Sequence, residues 1–174
     1  MSSDRDRDSD AAMTASVSPK HTRKILCVCT GNSCRSVMAE GLLRAYLKDR
    51  TDMQILSAGL GTVGGMGPTP ETVEVMAGEG IDVAGHISQP VTPDLVRKAD
   101  LILVMDRMHR EVLIRRHPEA APKTFLLQEF DAPGPVDDLD IPDPIGQPLG
   151  VYQRCLETIK AGVVRVVAWL AQTL

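Results

Sequence analysis

The segment Cys29-Thr30-Gly31-Asn32-Ser33-Cys34-Arg35-Ser36 sets a thiol and a guanidinium on either side of five intervening residues, none of them large. A loop of that length can curl round one tetrahedral anion with its backbone N–H groups turned inward as a nest. Arg35 adds a planar fork that matches two phosphate oxygens. A helix beginning near Ser36 adds the positive end of its dipole. Gly31 and Asn32 tolerate the positive φ angles that such a loop usually needs. A thiol at the base of this cup sits in a positive field, which favours the thiolate. Ser36 is placed to donate a hydrogen bond to it. Cys29 is therefore the candidate nucleophile, directly below a bound phosphorus. Thr30, Gly31, Asn32, Ser33, Cys34 and Ser36 are the candidate phosphate-binding residues.

Other readings of these residues remain open. Cys27 sits in the middle of an apolar run and reads as a small buried hydrophobe. Three of the four cysteines fall within eight residues, which is not a spread framework of bridges. In a chain with no export signal, such clustering points to reactivity or metal before disulfides. A zinc site lacks a second cysteine or histidine pair at ligand spacing. No metal or other cofactor is expected, because Arg35 and the loop amides already neutralise a phosphate. Asp143 is a candidate proton donor, yet it shares a loop with Asp131, Asp137, Asp138 and Asp140. A loop aspartate is commonly a solvated turn former. His109 and His117 read as helix-surface residues.

The elements that position the loop follow from hydrophobic patterning. Lys24–Cys29, Gln54–Ala58, Leu101–Met105 and Thr124–Leu127 read as short strands. Helical spacing covers Val37–Lys48 and, with Thr69 as N-cap and Gly80 just past the end, Glu71–Glu79. Thr92–Ala99 repeats the Thr-Pro start. Asp106 can cap a helix running to about His117, where Pro118 stops it. Val151–Leu174 is an amphipathic helix after the long, Asp-, Pro- and Gly-rich loop Asp131–Gly150. Strands of continuous apolar character alternating with helices predict a single doubly wound α/β domain. Its four-stranded parallel sheet would carry helices on both faces. Ligands in such sheets bind beyond the carboxyl ends of the strands, where strand order reverses. The turn after the first strand is such a place. A decoy, Gly59-Leu60-Gly61-Thr62-Val63-Gly64, fits the dinucleotide fingerprint but does not open directly into a helix. It reads as a rim loop of the pocket.

The chain has 174 residues, the size of one ordinary domain, with 43% hydrophobic and 24% charged residues. A net charge of −4 and 3% aromatic residues argue against nucleic-acid or anionic-membrane partners. No apolar run approaches the roughly 20 residues of a membrane span. Residues 1–22 are polar and aperiodic and read as a disordered tail before a domain over 23–174. The balance suits a cytoplasmic protein, monomeric or weakly dimeric.

The string VCTGNSCRSVMAE resembles the signature of the low-molecular-weight protein tyrosine phosphatases. The likeness extends through Ser57-Ala58-Gly59, His86, Met105-Asp106, Asp143-Pro144 and VYQRC at 151–155. It implies a double displacement on a phosphorylated protein. Cys29 forms a cysteinyl-phosphate, Arg35 binds the equatorial oxygens, and Asp143 protonates the leaving group and then deprotonates water. Asn32, Ser36, Ser57 and His86 match the network that supports the loop. Cys34 matches the neighbour that can trap Cys29 as a disulfide. Tyrosine-specific members line the pocket with aromatic residues that are missing from Gly59–Pro70 and Ile145-Gly146 here. Thr30 and Ser33 replace larger apolar residues inside the cup. That pattern is similar to the protein arginine phosphatase branch, so phosphoarginine is favoured over phosphotyrosine. The alternative is a thioredoxin-coupled arsenate reductase, which shares CTGNSCRS. It needs two further cysteines that Met105–Pro118 does not supply.

Overall fold

Continuous apolar runs became strands because both of their faces are covered. The computed structural model describes residues 22–135 and 137–173. The expected polar tail, residues 1–22, lies outside them except for Thr22. The elements, in order, are β1 (Arg23–Cys29), α1 (Arg35–Tyr46), β2 (Met53–Gly59), α2 (Pro70–Gly78), α3 (Pro93–Lys98), β3 (Leu101–Val104) and α4 (Arg107–Arg116). A 3-10 turn (Pro118–Lys123), β4 (Thr124–Leu126) and α5 (Leu149–Gln172) follow. The four strands are parallel in the order β2-β1-β3-β4. The chain thus steps from β1 to one side and then returns to the other. The crevice between the carboxyl ends of β1 and β3 is the switch point of this sheet.

Alternation along β1 sorts its side chains into two cores. Ile25, Cys27 and Cys29 join Leu101 and Leu103 of β3 under α1, α2 and α5. Leu26 and Val28 join Ile102 and Val104 under α3, α4 and the 3-10 turn. Each fully buried Leu, Ile or Val contributes roughly 1.5–3 kcal/mol relative to exposure, so this two-sided burial dominates the stability of the sheet. Cys27 is completely buried, as its place in the strand predicts. Burial pushes its thiol well above the usual range.

The helix caps formed where side-chain oxygens could meet orphan amides. Thr69 accepts from Thr72 N, Thr92 from Leu95 N and Asp106 from His109 N. Gly80, just after α2, takes φ of +73°. Several boundaries shift from the sequence reading, and two of the shifts bear on the site. Helix α1 starts at Arg35, which brings the guanidinium residue into its first turn, and α5 starts at Leu149, inside the expected loop. Among the described residues, no helix is long and apolar enough to cross a membrane.

Candidate active site

Strand β1 ends at Cys29, and the loop to α1 closes round its sulfur. Cys29 Sγ lies 3.0 Å from Ser36 Oγ and accepts from Asn32 N at 3.3 Å. Two donors thus converge on the thiol at the amino end of α1, where the helix dipole is positive. Asn32 takes φ of +53°, the left-handed region that asparagine tolerates. Gly31, by contrast, is not in that region, so the loop's one left-handed turn falls on Asn32 alone.

Asn32 also sets the direction of the surrounding hydrogen bonds. Its Nδ2 donates to Ser36 Oγ at 2.9 Å and to Ser57 Oγ at 2.8 Å. With an amide proton arriving at each, Ser36 is free to donate to Cys29 and Ser57 to the buried Glu40 carboxylate. Gln89 N donates to Asn32 Oδ1 at 2.9 Å, and His86 Nε2 donates to the Asn32 carbonyl at 3.1 Å. His86 Nδ1 lies 3.7 Å from Glu40. The structure therefore brings Asn32, Ser36, Ser57 and His86 together beneath the loop. Glu40 completes the set and was not singled out in the sequence, because a glutamate on a helix face resembles any solvated charge.

Arg35 is 3% exposed and carries three acceptors on one guanidinium. Nη1 donates to Asp106 Oδ2 at 3.0 Å and to the Ile141 carbonyl at 2.8 Å; Nη2 donates to Asp143 Oδ2 at 2.9 Å. Asp143 is one of the exposed residues of its loop, and its other oxygen accepts from Ile145 N. That loop is strapped down just before Asp143. Ile141 N donates to Met105 O at 2.9 Å, and Arg107, at the start of α4, grips Asp140 through its backbone and side chain. Asp140 is thus an anchor rather than a free turn former.

Asp106 is a site residue that its capping role had hidden. Burial works against its charge, but the His109 ring and backbone amide, with Arg35, outweigh it and hold the carboxyl below its usual range. His109 corrects the sequence reading outright. It is 1% exposed, not on the helix surface. Its Nε2 is 2.8 Å from Thr30 Oγ1, and its Nδ1 is 3.0 Å from Asp106 Oδ1 without the alignment of a hydrogen bond. Thr30 therefore spends its hydroxyl on His109 and turns its methyl toward Gly61. His117 lies at the carboxyl end of α4, 3.8 Å from Glu119.

Cys34 is buried, with Thr69 Oγ1 at 3.6 Å and the Tyr152 hydroxyl oxygen at 3.8 Å from its sulfur. All four thiols are free. Cys155 faces the Pro142 carbonyl beneath the Asp143 loop, and burial pushes its thiol up to about 12.

The rim loop abuts the cup directly. Leu60 N donates to Cys29 O and Gly61 N to Thr30 O, both at 2.9 Å. A Cβ at Gly59 would stand 2.6 Å from Thr30 O and 3.1 Å from Asn32 N. Both are backbone atoms of the loop and cannot rotate aside. Gly59→Ala should lower kcat/KM on an aryl phosphate about fivefold or more, since overpacking of this kind costs roughly 1–3 kcal/mol and here it falls on the loop that holds the anion. Steady-state kinetics on the folded variant check this; wild-type kinetics would refute it. Beyond the cup, the rim exposes aliphatic rather than aromatic side chains, Val63, Met66 and Ile145.

A family model described as low molecular weight phosphotyrosine protein phosphatase matches residues 24–173. The chain is 41% identical over 141 residues to a probable low molecular weight protein-tyrosine-phosphatase, EpsP, of Ralstonia nicotianae; the match covers 81% of this chain and 91% of that protein. It is similar to the solved YwlE arginine phosphatase of Geobacillus stearothermophilus, with a TM-score of 0.79 and 32% identity over 87% of this chain and 94% of that one. It is also similar to a YwlE cysteine-to-serine mutant solved with its active-site serine phosphorylated. There the TM-score is 0.78 and the identity 28%, over 85% of this chain and 95% of that one.

Proposed function

The chain belongs to the low-molecular-weight phosphotyrosine protein phosphatase family, and on that premise we propose how its residues divide the work of dephosphorylating proteins. Cys29 attacks phosphorus, forming an S–P bond as the bond to the leaving group breaks. The loop amides and Arg35 hold the equatorial oxygens as charge builds on them. Asp143 gives its proton to the leaving atom, then takes one from the water that cleaves the cysteinyl-phosphate. Asn32, Ser36, Ser57 and His86 keep the loop curled. The observation that carries this reading is the pair of donors, Ser36 Oγ–H and Asn32 N–H, converging on Cys29 Sγ at a helix amino terminus. The phosphorylated serine in the YwlE mutant supports phosphoryl transfer to that position.

Phosphoarginine is the substrate that the contacts favour. Ser33 offers a small hydroxyl neighbour in the cup, and Asp143 offers a carboxylate to a polar guanidine. No aromatic side chain of Gly59–Pro70 or Ile145-Gly146 stands ready to stack on a tyrosine ring. Thr30, whose hydroxyl is held by His109, lends this preference nothing. Phosphotyrosine is the second reading, favoured by the identity with EpsP and by the aliphatic rim. Turnover of matched phosphoarginine and phosphotyrosine peptides decides between them. The native chain should prefer phosphoarginine, and Ser33→Ala should lose that preference while keeping its rate on phosphotyrosine. A native preference for phosphotyrosine selects the second reading.

Arsenate reduction coupled to thioredoxin finds little support. Helix α4 carries no cysteine, and Cys155 holds its proton too firmly to relay oxidising equivalents.

A further inference from the structure

Buried histidines usually satisfy both ring nitrogens within the core or with water. His109 sends neither nitrogen to the core. One goes to Thr30, the residue after the candidate nucleophile, and the other lies beside Asp106, which holds Arg35. The Asp106 carboxylate 3.0 Å from Nδ1 favours the tautomer with the proton on that nitrogen, and in that neutral ring Nε2 accepts from the Thr30 hydroxyl. Asp106 Oδ1 also accepts from the His109 backbone N–H at 2.7 Å, while its Oδ2 accepts from Arg35. The continuous path Cys29-Thr30, His109, Asp106, Arg35 therefore joins the two halves of the anion cup through one imidazole.

We propose that His109 is a positioning residue for the phosphatase reaction, because its ring fixes Thr30 against the Asp106–Arg35 pair. This rests on the reading of Cys29 and Arg35 as nucleophile and anion binder. Without the ring, the loop after Cys29 and the guanidinium lose their common reference. A misplacement on the order of 1 Å at a reacting centre can cost about a hundredfold in rate. Thr30 is exposed on the loop, so an isosteric Thr30→Val change tests the link without touching the core.

The test uses the full chain and an aryl phosphate, with inorganic phosphate as competitive inhibitor. His109→Ala and Thr30→Val should each lower kcat/KM about tenfold and raise the inhibition constant for phosphate. The double variant should be no worse than His109→Ala alone, because both changes cut the same link. His109→Gln, whose amide can reach Thr30, should recover most of the loss. Multiplying single effects in the double variant would overturn the proposal. So would a His109→Ala chain that melts earlier yet keeps its kcat/KM and inhibition constant within twofold. Should His109→Ala not fold, Thr30→Val decides alone, and native kinetics there would overturn the proposal. The underlying reading is tested separately: if Cys29→Ser kept full turnover, that reading would fail whatever His109 does.

Discussion

Cys29→Ser removes turnover of any phosphorylated substrate, by a factor on the order of 10⁴ or more, and leaves the fold intact. The substituted oxygen keeps its place beside Ser36 Oγ and Asn32 N. What is lost is the sulfur nucleophile: a serine hydroxyl in the same place attacks phosphorus far more slowly. Steady-state kinetics with an aryl phosphate measure the effect, and circular dichroism confirms the fold. Intact-mass spectrometry after long incubation should also find phosphate retained on the substituted side chain, because attack is slow but release is slower. Cys27 and Cys155 cannot substitute. Burial holds the Cys27 proton well above its usual range and the Cys155 proton up to about 12. Both stay neutral at pH 7 and should escape alkylation by iodoacetamide in the folded protein. Turnover within tenfold of the native chain would mean that another group performs the attack.

Asp143→Asn should lower kcat by roughly 10²–10⁴-fold, the usual span for a lost general acid–base group. The amide keeps one acceptor oxygen where the carboxylate offers two, so it can hold Arg35 or Ile145 N but not both; the dependence on the leaving group, not the size of the loss alone, isolates the proton transfer. The deficit should depend on the leaving group. A phenolate made stable by electron-withdrawing substituents departs without help, and the variant should lose least on its phosphate ester. A basic alkoxide or guanidine nitrogen needs the proton, and there the loss should be greatest. A series of aryl phosphates of graded leaving-group acidity gives the slope. An equal loss across the series would show that Asp143 serves binding alone.

The cysteine loop was readable in the sequence because its parts are neighbours: a strand, a thiol, a guanidinium and a helix start within eight residues. The two-sided sheet was readable because Ile25–Cys29 and Leu101–Met105 are apolar without interruption. Other parts were written in no local pattern. The acceptors of Arg35 lie 71, 106 and 108 positions away in the chain. Asp106 announced itself as a cap, and one carboxylate can cap a helix and bind an arginine at once. His109 follows Asp106 by three residues on a helix rich in arginine, so its position looked solvated. Its burial and its bond to Thr30 come only from the way the chain folds. Gly31 and Asn32 were equivalent as candidates for the left-handed turn, and only the pull of Ser36, Ser57 and Gln89 on the asparagine amide separates them.

One helix reaches several of the separate segments around the pocket. From α4 and its cap, Asp106 grips the guanidinium, Arg107 grips Asp140, His109 grips Thr30, and Arg116 donates to the Leu60 carbonyl at 2.8 Å. Drift in any one of those segments is resisted by the same rigid rod. Val63, Met66 and Ile145 stand outside its grasp, with side chains in open solvent. Sequence change can accumulate there at small cost to the chemistry, which makes those three positions the natural ground on which descendants of this protein would acquire new tastes in partner while the reacting centre stays as it is.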